Sequence, residues 1–175
     1  MSIDGVRRAV RWTGLSAWVP VRPLDSSAVN RYVAVCGASD PSSDQRELAR
    51  EVGRRLAGSG AIVLCGGLGG VMEAAAEGAA SAGGTVVGIL PGADRAAANP
   101  YLTIAIATGL GEARNAVLTA AADAVIAIGT GWGTLSEIGL ARKRGRPVIA
   151  LASWELEGVP IASSAEEAVR AVIGD

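Results

Sequence analysis

The sequence contains no histidine and a single lysine, Lys143. The absence of histidine excludes Ser-His-Asp and Cys-His catalysis and argues against a zinc site. A pyridoxal-phosphate enzyme needs a lysine for its Schiff base, and Lys143 lies in the highly charged segment ARKRG, a poor place for one. We therefore expect no bound metal and no cofactor, and we exclude a lysine decarboxylase.

Phenylalanine is also absent, and aromatic residues make up only 3% of the chain, although half of its residues are hydrophobic. Alanine, valine, leucine and isoleucine must therefore fill the core. No apolar run approaches the ~20 residues of a membrane span. The net charge of −1 gives no basic excess for a nucleic acid. No secretory signal is recognisable, so we expect a cytoplasmic protein that binds neither membrane nor nucleic acid.

The chain divides into an N-terminal extension, residues 1–30, and one domain, residues 31–175. Six apolar runs predict strands, and most are continuous rather than alternating, as in strands that helices cover on both faces. The runs alternate with helical patterns and span residues 31–39, 61–67, 85–92, 101–109, 123–131 and 147–153. This order predicts an α/β, Rossmann-like domain: a doubly wound, mostly parallel sheet of about six to seven strands with helices on both faces.

Two patterns mark the start of helices at the two ends of this domain. Ser42 with Gln45, and Ser163 with Glu166, each have the spacing of a capping box. The two cysteines, Cys36 and Cys65, fall at the ends of predicted strands. They are interpreted as small buried side chains, with a redox pair as the alternative, because they lack the C-x-x-C spacing.

Three strand-to-helix loops are rich in small residues: CGASDPSS (36–43), CGGLGGVM (65–72) and the loop within IGTGWGTLSEIGLA (128–141). Each brings a close-approaching backbone to a helix N-terminus, which favours an anion such as phosphate. None of the loops completes the G-x-G-x-x-G fingerprint, and no Walker A motif occurs. Three such loops at one edge of a sheet predict a site for a ligand of mononucleotide size.

Glu137 has two interpretations. Thr134 and Glu137 fit the capping box T-x-x-E, in which the glutamate only holds the helix start. Alternatively, Glu137 is a carboxylate at the edge of a phosphate loop, placed to reach a ribose or to stabilise an oxocarbenium ion. Arg114 opens another helix, where it opposes the helix dipole, so an anion or Glu137 is a candidate partner. Trp132 either stacks on a base or packs against a neighbouring loop.

Four motifs occur in the order found in the LONELY GUY-like superfamily, which the chain resembles over about residues 31–155. They are CGAS, CGGLGGVMEAAAEGA, GEARN and GTGWGTLSEIGLA. The superfamily includes cytokinin-activating phosphoribohydrolases and molybdenum-cofactor carrier proteins. Its hydrolases carry P-G-G-x-G-T-x-x-E, in which Gly129, Thr130 and Gly131 here replace Pro-Gly-Gly. Asn115 replaces a lysine of the hydrolases, so the chain looks closer to the uncharacterised and carrier-like branch.

The resemblance implies a nucleoside 5′-monophosphate phosphoribohydrolase or, alternatively, a non-catalytic carrier or sensor of a phosphorylated ligand such as molybdenum cofactor or a nucleotide. It implies Arg114 and Glu137 as the catalytic pair, since a carboxylate stabilises a cationic ribosyl centre. The implied phosphate- and ligand-binding residues are Gly37, Ser39, Gly66, Gly67, Gly70, Gly131, Trp132, Gly133 and Thr134. The implied partners are a small phosphorylated ligand and further copies of the chain, in a homodimer or homotetramer.

Overall fold

The computed structural model describes residues 30–174, which form one sheet covered by helices on both faces. The strands are Tyr32–Gly37 (β1), Ile62–Cys65 (β2), Val86–Leu90 (β3), Ile104–Ala107 (β4), Ala124–Ile128 (β5), Val148–Leu151 (β6) and Ile161–Ala162 (β7). The helices are Ser43–Gly58 (α1), Val71–Ser81 (α2), Arg114–Ala121 (α3), Trp132–Lys143 (α4) and Ala165–Ile173 (α5). None of these helices is long and apolar enough to cross a membrane. The extension expected for residues 1–30 lies, except for Asn30, outside the described residues.

All seven strands are parallel, in the order β4-β3-β2-β1-β5-β6-β7. The predicted doubly wound, Rossmann-like α/β fold is therefore confirmed. The chain builds outward from β1 to β4 and then returns to place β5 on the other side of β1. The loops after β1 and β5 consequently diverge to opposite faces, and ligands of open α/β sheets bind in the crevice between such loops.

The buried side chains of the sheet belong to two apolar layers, one on each face. Val33 and Val35 of β1 join the layer beneath α1, α2 and α5. Ala34 and Cys36 join the layer beneath α3 and α4. Cys65 belongs to the first of these layers, so the sheet separates the two thiols. Both cysteines are free and buried, which confirms the interpretation as small core residues over that as a redox pair.

The capping box at the start of α1 is confirmed, with Gln45 N–H donating to Ser42 Oγ at 3.2 Å and Ser42 N–H donating to Gln45 Oε1. The box predicted for the last helix is wrong by one residue. Ser164, not Ser163, is the N-cap, and its hydroxyl accepts from the Glu167 amide. The shift follows from the short strand β7, which carries the extended backbone forward to Ala162 before the helix begins.

Helices α1 and α2 pack so closely that glycines are needed at their contact. A Cβ on Gly53 would collide with the carbonyl oxygen of Ala75, and one on Gly78 would collide with that of Arg50. Both obstacles are backbone atoms, which cannot rotate away. The small residues of the two helices therefore bring the backbones together and substitute for the bulky aromatic side chains that this core lacks.

We expect Gly53→Ala to lower the free energy of unfolding by about 1–3 kcal/mol, since relieving the clash requires the backbone to shift. The loss should appear although alanine is the better helix former by about 1 kcal/mol. Gly58→Ala in the same helix is the matched control, because nothing lies within 4 Å of the added methyl. Urea unfolding of both variants measures the difference. Equal stabilisation of the two variants would contradict the close helix contact.

Candidate functional site

A cleft of about 370 Å³ opens at the carboxyl edge of the sheet, between the loops that follow β1 and β5. This is the divergence point of the strand order. Its lining residues are Gly37, Ala38, Ser39, Asp40, Met72, Arg114, Asn115, Thr130, Gly131, Trp132, Gly133, Thr134 and Glu137. The volume suits a ligand of the size of a mononucleotide. Eight of the eleven site residues named from the sequence thus lie around one cleft.

Arg114 and Glu137 form an ion pair at the bottom of this cleft. Arg114 Nη1 donates to Glu137 Oε1 at 3.1 Å, and the two residues are only 8% and 5% exposed. Arg114 is the first residue of α3, while Glu137 lies in the second turn of α4. Arg114 is therefore not a solvated surface charge, and the pair ties the start of one helix to the body of the next.

The remaining predicted glycines shape the surroundings of the cleft rather than its lining. A Cβ on Gly66 would collide with the Arg114 guanidinium and the Met72 sulfur, so this glycine makes room for the buried arginine. Gly70, with φ of +72°, allows the loop after β1 to approach α2, because a Cβ there would meet the carbonyl oxygens of that loop. Gly67 packs against Leu90 of β3.

The capping role considered for Glu137 is wrong. Helix α4 begins at Trp132, with Gly131 as its N-cap, so Thr134 is the third helical residue and Glu137 the sixth. No side chain caps the helix. The reason is Gly131, which serves as the N-cap, so the helix starts two residues before the threonine that the T-x-x-E pattern would place outside it. Glu137 instead bonds to Arg114 across the gap between the two helices.

Burial raises the pKa of the Glu137 carboxyl above its ordinary value, while Arg114 and a hydrogen bond from the Cys36 thiol act in the opposite direction. Burial also raises the pKa of the Cys36 thiol well above its ordinary value, so the thiol keeps its proton and is able to donate it. The carboxylate thus has Arg114 as a hydrogen-bond partner within the protein. Its negative charge is already engaged before any ligand arrives.

The uncapped first turn of α4 leaves backbone donors open at the cleft. The first helical hydrogen bond runs from Leu135 N–H to the Gly131 carbonyl at 2.9 Å, so the three amides before it have no partner in the helix. Those amides belong to the cleft-lining residues Trp132, Gly133 and Thr134. By contrast, α1 and α5 carry serine caps. Free N–H groups together with the positive end of the helix dipole form a site for an anion.

Asn115, which takes the place of the hydrolases' lysine, also lines the cleft. It is 7% exposed, and its Nδ2 donates to Ser136 Oγ at 2.9 Å. Within the described residues, only three buried side-chain polar atoms have no hydrogen-bond partner, and two of them are Arg114 Nε and Asn115 Oδ1. Buried polar groups are nearly always bonded, so these two atoms on cleft residues are available to a partner from outside the protein, such as water or a ligand.

Trp132 marks the mouth of the cleft and is 85% exposed. Its ring therefore does not pack into a neighbouring loop. Ala38, Asp40, Met72 and Thr130 are further lining residues; they lie in the three glycine-rich loops but were not among the expected site residues. Among residues 30–174, no group of three or more histidine, cysteine, aspartate or glutamate side chains is arranged to hold a metal ion.

The family model of SLOG cluster4 matches residues 30–173 of the chain. An uncharacterized protein from Archaeoglobus fulgidus is 42% identical over 138 residues, which are 78% of this chain and 91% of that protein. The molybdenum cofactor binding protein from the phototrophic bacterium Rippkaea orientalis has a similar structure. It is 36% identical with a TM-score of 0.78, and the match covers 82% of this chain and 95% of that one.

The molybdenum cofactor carrier protein of Chlamydomonas reinhardtii is 32% identical, with a TM-score of 0.77. The match covers 82% of this chain and 96% of the carrier protein. The chain is thus similar in sequence and fold to two proteins named for the molybdenum cofactor. The resemblance to the carrier-like branch is confirmed.

Replacing Arg114 by methionine would leave Glu137 buried without its cation. We expect the free energy of unfolding to fall by about 3–5 kcal/mol near neutral pH. Because burial raises the pKa of Glu137 in the folded state, the loss should be smallest near pH 4.5, the ordinary value, where a proton is bound. The loss should then grow as the pH rises through the folded-state pKa.

Urea unfolding of the wild type and of Arg114→Met across this pH range measures the effect. The double variant Arg114→Met/Glu137→Gln is the control, since it has no carboxyl at this position to titrate. Its stability relative to the wild type should show a weaker dependence on pH. A deficit of Arg114→Met that stays constant with pH would mean that Glu137 is not the group left uncompensated.

Proposed function

The chain belongs to the SLOG cluster4 family, and on this premise we propose that it binds a small phosphorylated ligand in the cleft and carries it without altering it chemically. The observation that carries the proposal is the open first turn of α4 at the edge of a cleft of about 370 Å³. The similarity to molybdenum cofactor binding and carrier proteins supports carriage. Molybdenum cofactor is accordingly the first ligand to test, and nucleoside 5′-monophosphates are the second.

The phosphate is assigned to the amides of Trp132, Gly133 and Thr134. Arg114 is the one cationic side chain among the lining residues, but Glu137 already neutralises its charge at 3.1 Å. The helix dipole and the amides before Leu135 are therefore the main attraction for an anion. Gly37 and Ser39 of the facing loop close the opposite side of the cleft. The ring system of the ligand would lie against the exposed indole of Trp132, because flat rings stack on such faces.

A phosphoribohydrolase is the second candidate, and one observation favours it: Glu137 lines the same cleft as the proposed phosphate site. In that reaction the carboxylate would stabilise a cationic ribosyl centre. Two features make Glu137 less suited to this task. Arg114 already bonds to the carboxylate, and burial raises the pKa of this carboxyl, so both features reduce the negative charge that it offers. These features support the carrier over the hydrolase.

Gly133→Asp is the sharpest test of the phosphate site. A Cβ at this position meets nothing within 4 Å, so the fold should tolerate the side chain. A carboxylate in the first turn should even stabilise α4 by about 0.3–1 kcal/mol. It would also occupy the amides and repel phosphate. We expect affinity for the phosphorylated ligand to fall at least about tenfold, or ~1.4 kcal/mol, while the melting temperature of the free protein stays equal or rises.

Calorimetric titration with molybdenum cofactor and with nucleoside 5′-monophosphates provides the measurement. Gly133→Asn is the matched control, because it has the same shape without the charge and should retain binding. The same mixtures, analysed by chromatography, should contain no free base. Base release by the wild type that disappears in Glu137→Gln would replace the carrier with the hydrolase. Undiminished binding by Gly133→Asp would place the phosphate elsewhere.

We also propose that the chain forms a homodimer through an apolar stripe on the face that carries α3 and α4. Ile104 and Ile106 of β4 pair with Val87 and Ile89 of β3 and so point to that face. They remain 48% and 44% exposed, and Val117 on α3 is 42% exposed. A symmetric copy would offer the same apolar surface in return. This stripe includes the helix that carries Arg114, so pairing would support the wall of the cleft.

Ile106→Asp should shift the protein to a smaller species, because a charge in an apolar contact would be desolvated without a partner. Ile161→Asp is the control, since Ile161 is 47% exposed but lies on β7 at the opposite edge of the sheet. Sedimentation equilibrium of the two variants gives the masses. A wild type that sediments as a monomer, or two variants with the same mass as the wild type, would refute this interface.

A further inference from the structure

One buried polar atom of a cleft residue, Asn115 Oδ1, has no hydrogen-bond partner that the proposed function accounts for. The residue is 7% exposed and lines the cleft, yet this oxygen has no hydrogen-bond partner among the described residues. Most buried side-chain oxygens in proteins have at least one partner. The other half of the same amide is bonded, since Nδ2 donates to Ser136 Oγ at 2.9 Å. One end of the amide is thus bonded, and the other end is buried without a partner.

Ser136 decides which end of the amide is open. Its hydroxyl carries one proton and donates it to the Gly133 carbonyl at 2.7 Å. The Ser136 oxygen is then able only to accept from Asn115, so the amide must present its NH₂ group to the serine. The reversed amide would require the Ser136 hydroxyl to turn toward it and to lose its bond to the Gly133 carbonyl. The hydrogen-bond network therefore fixes Asn115 as an acceptor with respect to the ligand and not as a donor.

We propose that Asn115 Oδ1 accepts a hydrogen bond from an O–H or N–H donor of the bound ligand and so selects ligands that carry a donor at this position. The inference rests on the proposed function and names a specificity-determining residue of the same site. Binding of a donor satisfies an acceptor that is otherwise buried without a partner, which is the arrangement that gives strong discrimination. An anionic or purely accepting group at the same position would face the oxygen and be rejected.

A phosphorylated ligand with a sugar and a heterocyclic base has two groups that could supply the donor. One is a sugar hydroxyl, and the other is an amino or N–H group of the base. Matched nucleotides separate them. AMP and purine riboside 5′-monophosphate differ only in the exocyclic amino group. AMP and 2′-deoxy-AMP differ only in the 2′-hydroxyl. Ribose 5-phosphate tests the sugar phosphate without the base.

In one of these pairs, calorimetric titration of the wild type should show that the member without the donor binds about tenfold more weakly than AMP, a difference of ~1.4 kcal/mol. In Asn115→Leu, whose side chain has the same branching and number of heavy atoms but no acceptor, AMP should lose the same factor. The affinity of the ligand that lacks the donor should not change. The discrimination between the two members of the pair should therefore disappear in this variant, which a general loss of structure would not produce.

Two further variants keep the test decisive if Asn115→Leu does not fold. Asn115→Asp retains an acceptor and should retain the preference for the donor-bearing ligand. Ser136→Ala removes the contact that fixes the amide, so the preference should shrink although Asn115 is still present. A preference unchanged in Asn115→Leu, or in Ser136→Ala where Asn115→Leu does not fold, would overturn the assignment of Asn115.

The proposed function and this inference fail in different ways. If the probes bind more weakly to Gly133→Asp but the wild type shows no preference within either matched pair, the phosphate site is retained and the role of Asn115 is rejected. A wild type that binds none of the nucleotides, ribose 5-phosphate or molybdenum cofactor would overturn both. Equal weakening of every probe in Asn115→Leu would show a structural role and would also reject the assignment.

Discussion

The buried ion pair between Arg114 and Glu137 is the contact on which the cleft depends. Removing two charges from water is costly, and only a close, well-oriented partner compensates for that cost. Neither side chain is therefore free to leave the other, and α3 and α4 are held at a fixed separation. The surroundings are fitted to the pair, because Gly66 leaves space for the guanidinium. The pair also cancels its own charge, which leaves the recognition of an anion to backbone amides.

Much of this arrangement could be predicted from the residues. Continuous apolar runs indicated a parallel sheet, and in such a sheet the loops after the strands meet at one edge. Gly37, Ser39 and the segment from Gly131 to Thr134 belong to two of those loops, and all of them line the cleft. The alternation of strand and helix does not reveal side-chain contacts, however. Arg114 and Glu137 could be named as partners only as one option among several.

The misses have local physical reasons. The T-x-x-E pattern at Thr134 matches a capping box, but a glycine three residues earlier offers an alternative helix start, and tertiary contacts to Glu137 decide between them. Asn115 ends the motif GEARN, but the motif does not reveal its contact with Ser136, which lies 21 residues away in sequence and on another helix. Gly66 resembles any glycine of a tight turn until the position of the arginine side chain is known.

The lining of the cleft comes from segments that are distant along the chain, from Gly37 at the end of β1 to Glu137 in α4. During synthesis, the first half of the domain would expose the loop after β1 without its counterpart. The site forms only after β5 has inserted beside β1 and α4 has docked behind it. A ribosome-bound fragment that stops before residue 137 therefore lacks the carboxylate that pairs with Arg114, and the cleft takes its final form only after α4 is complete.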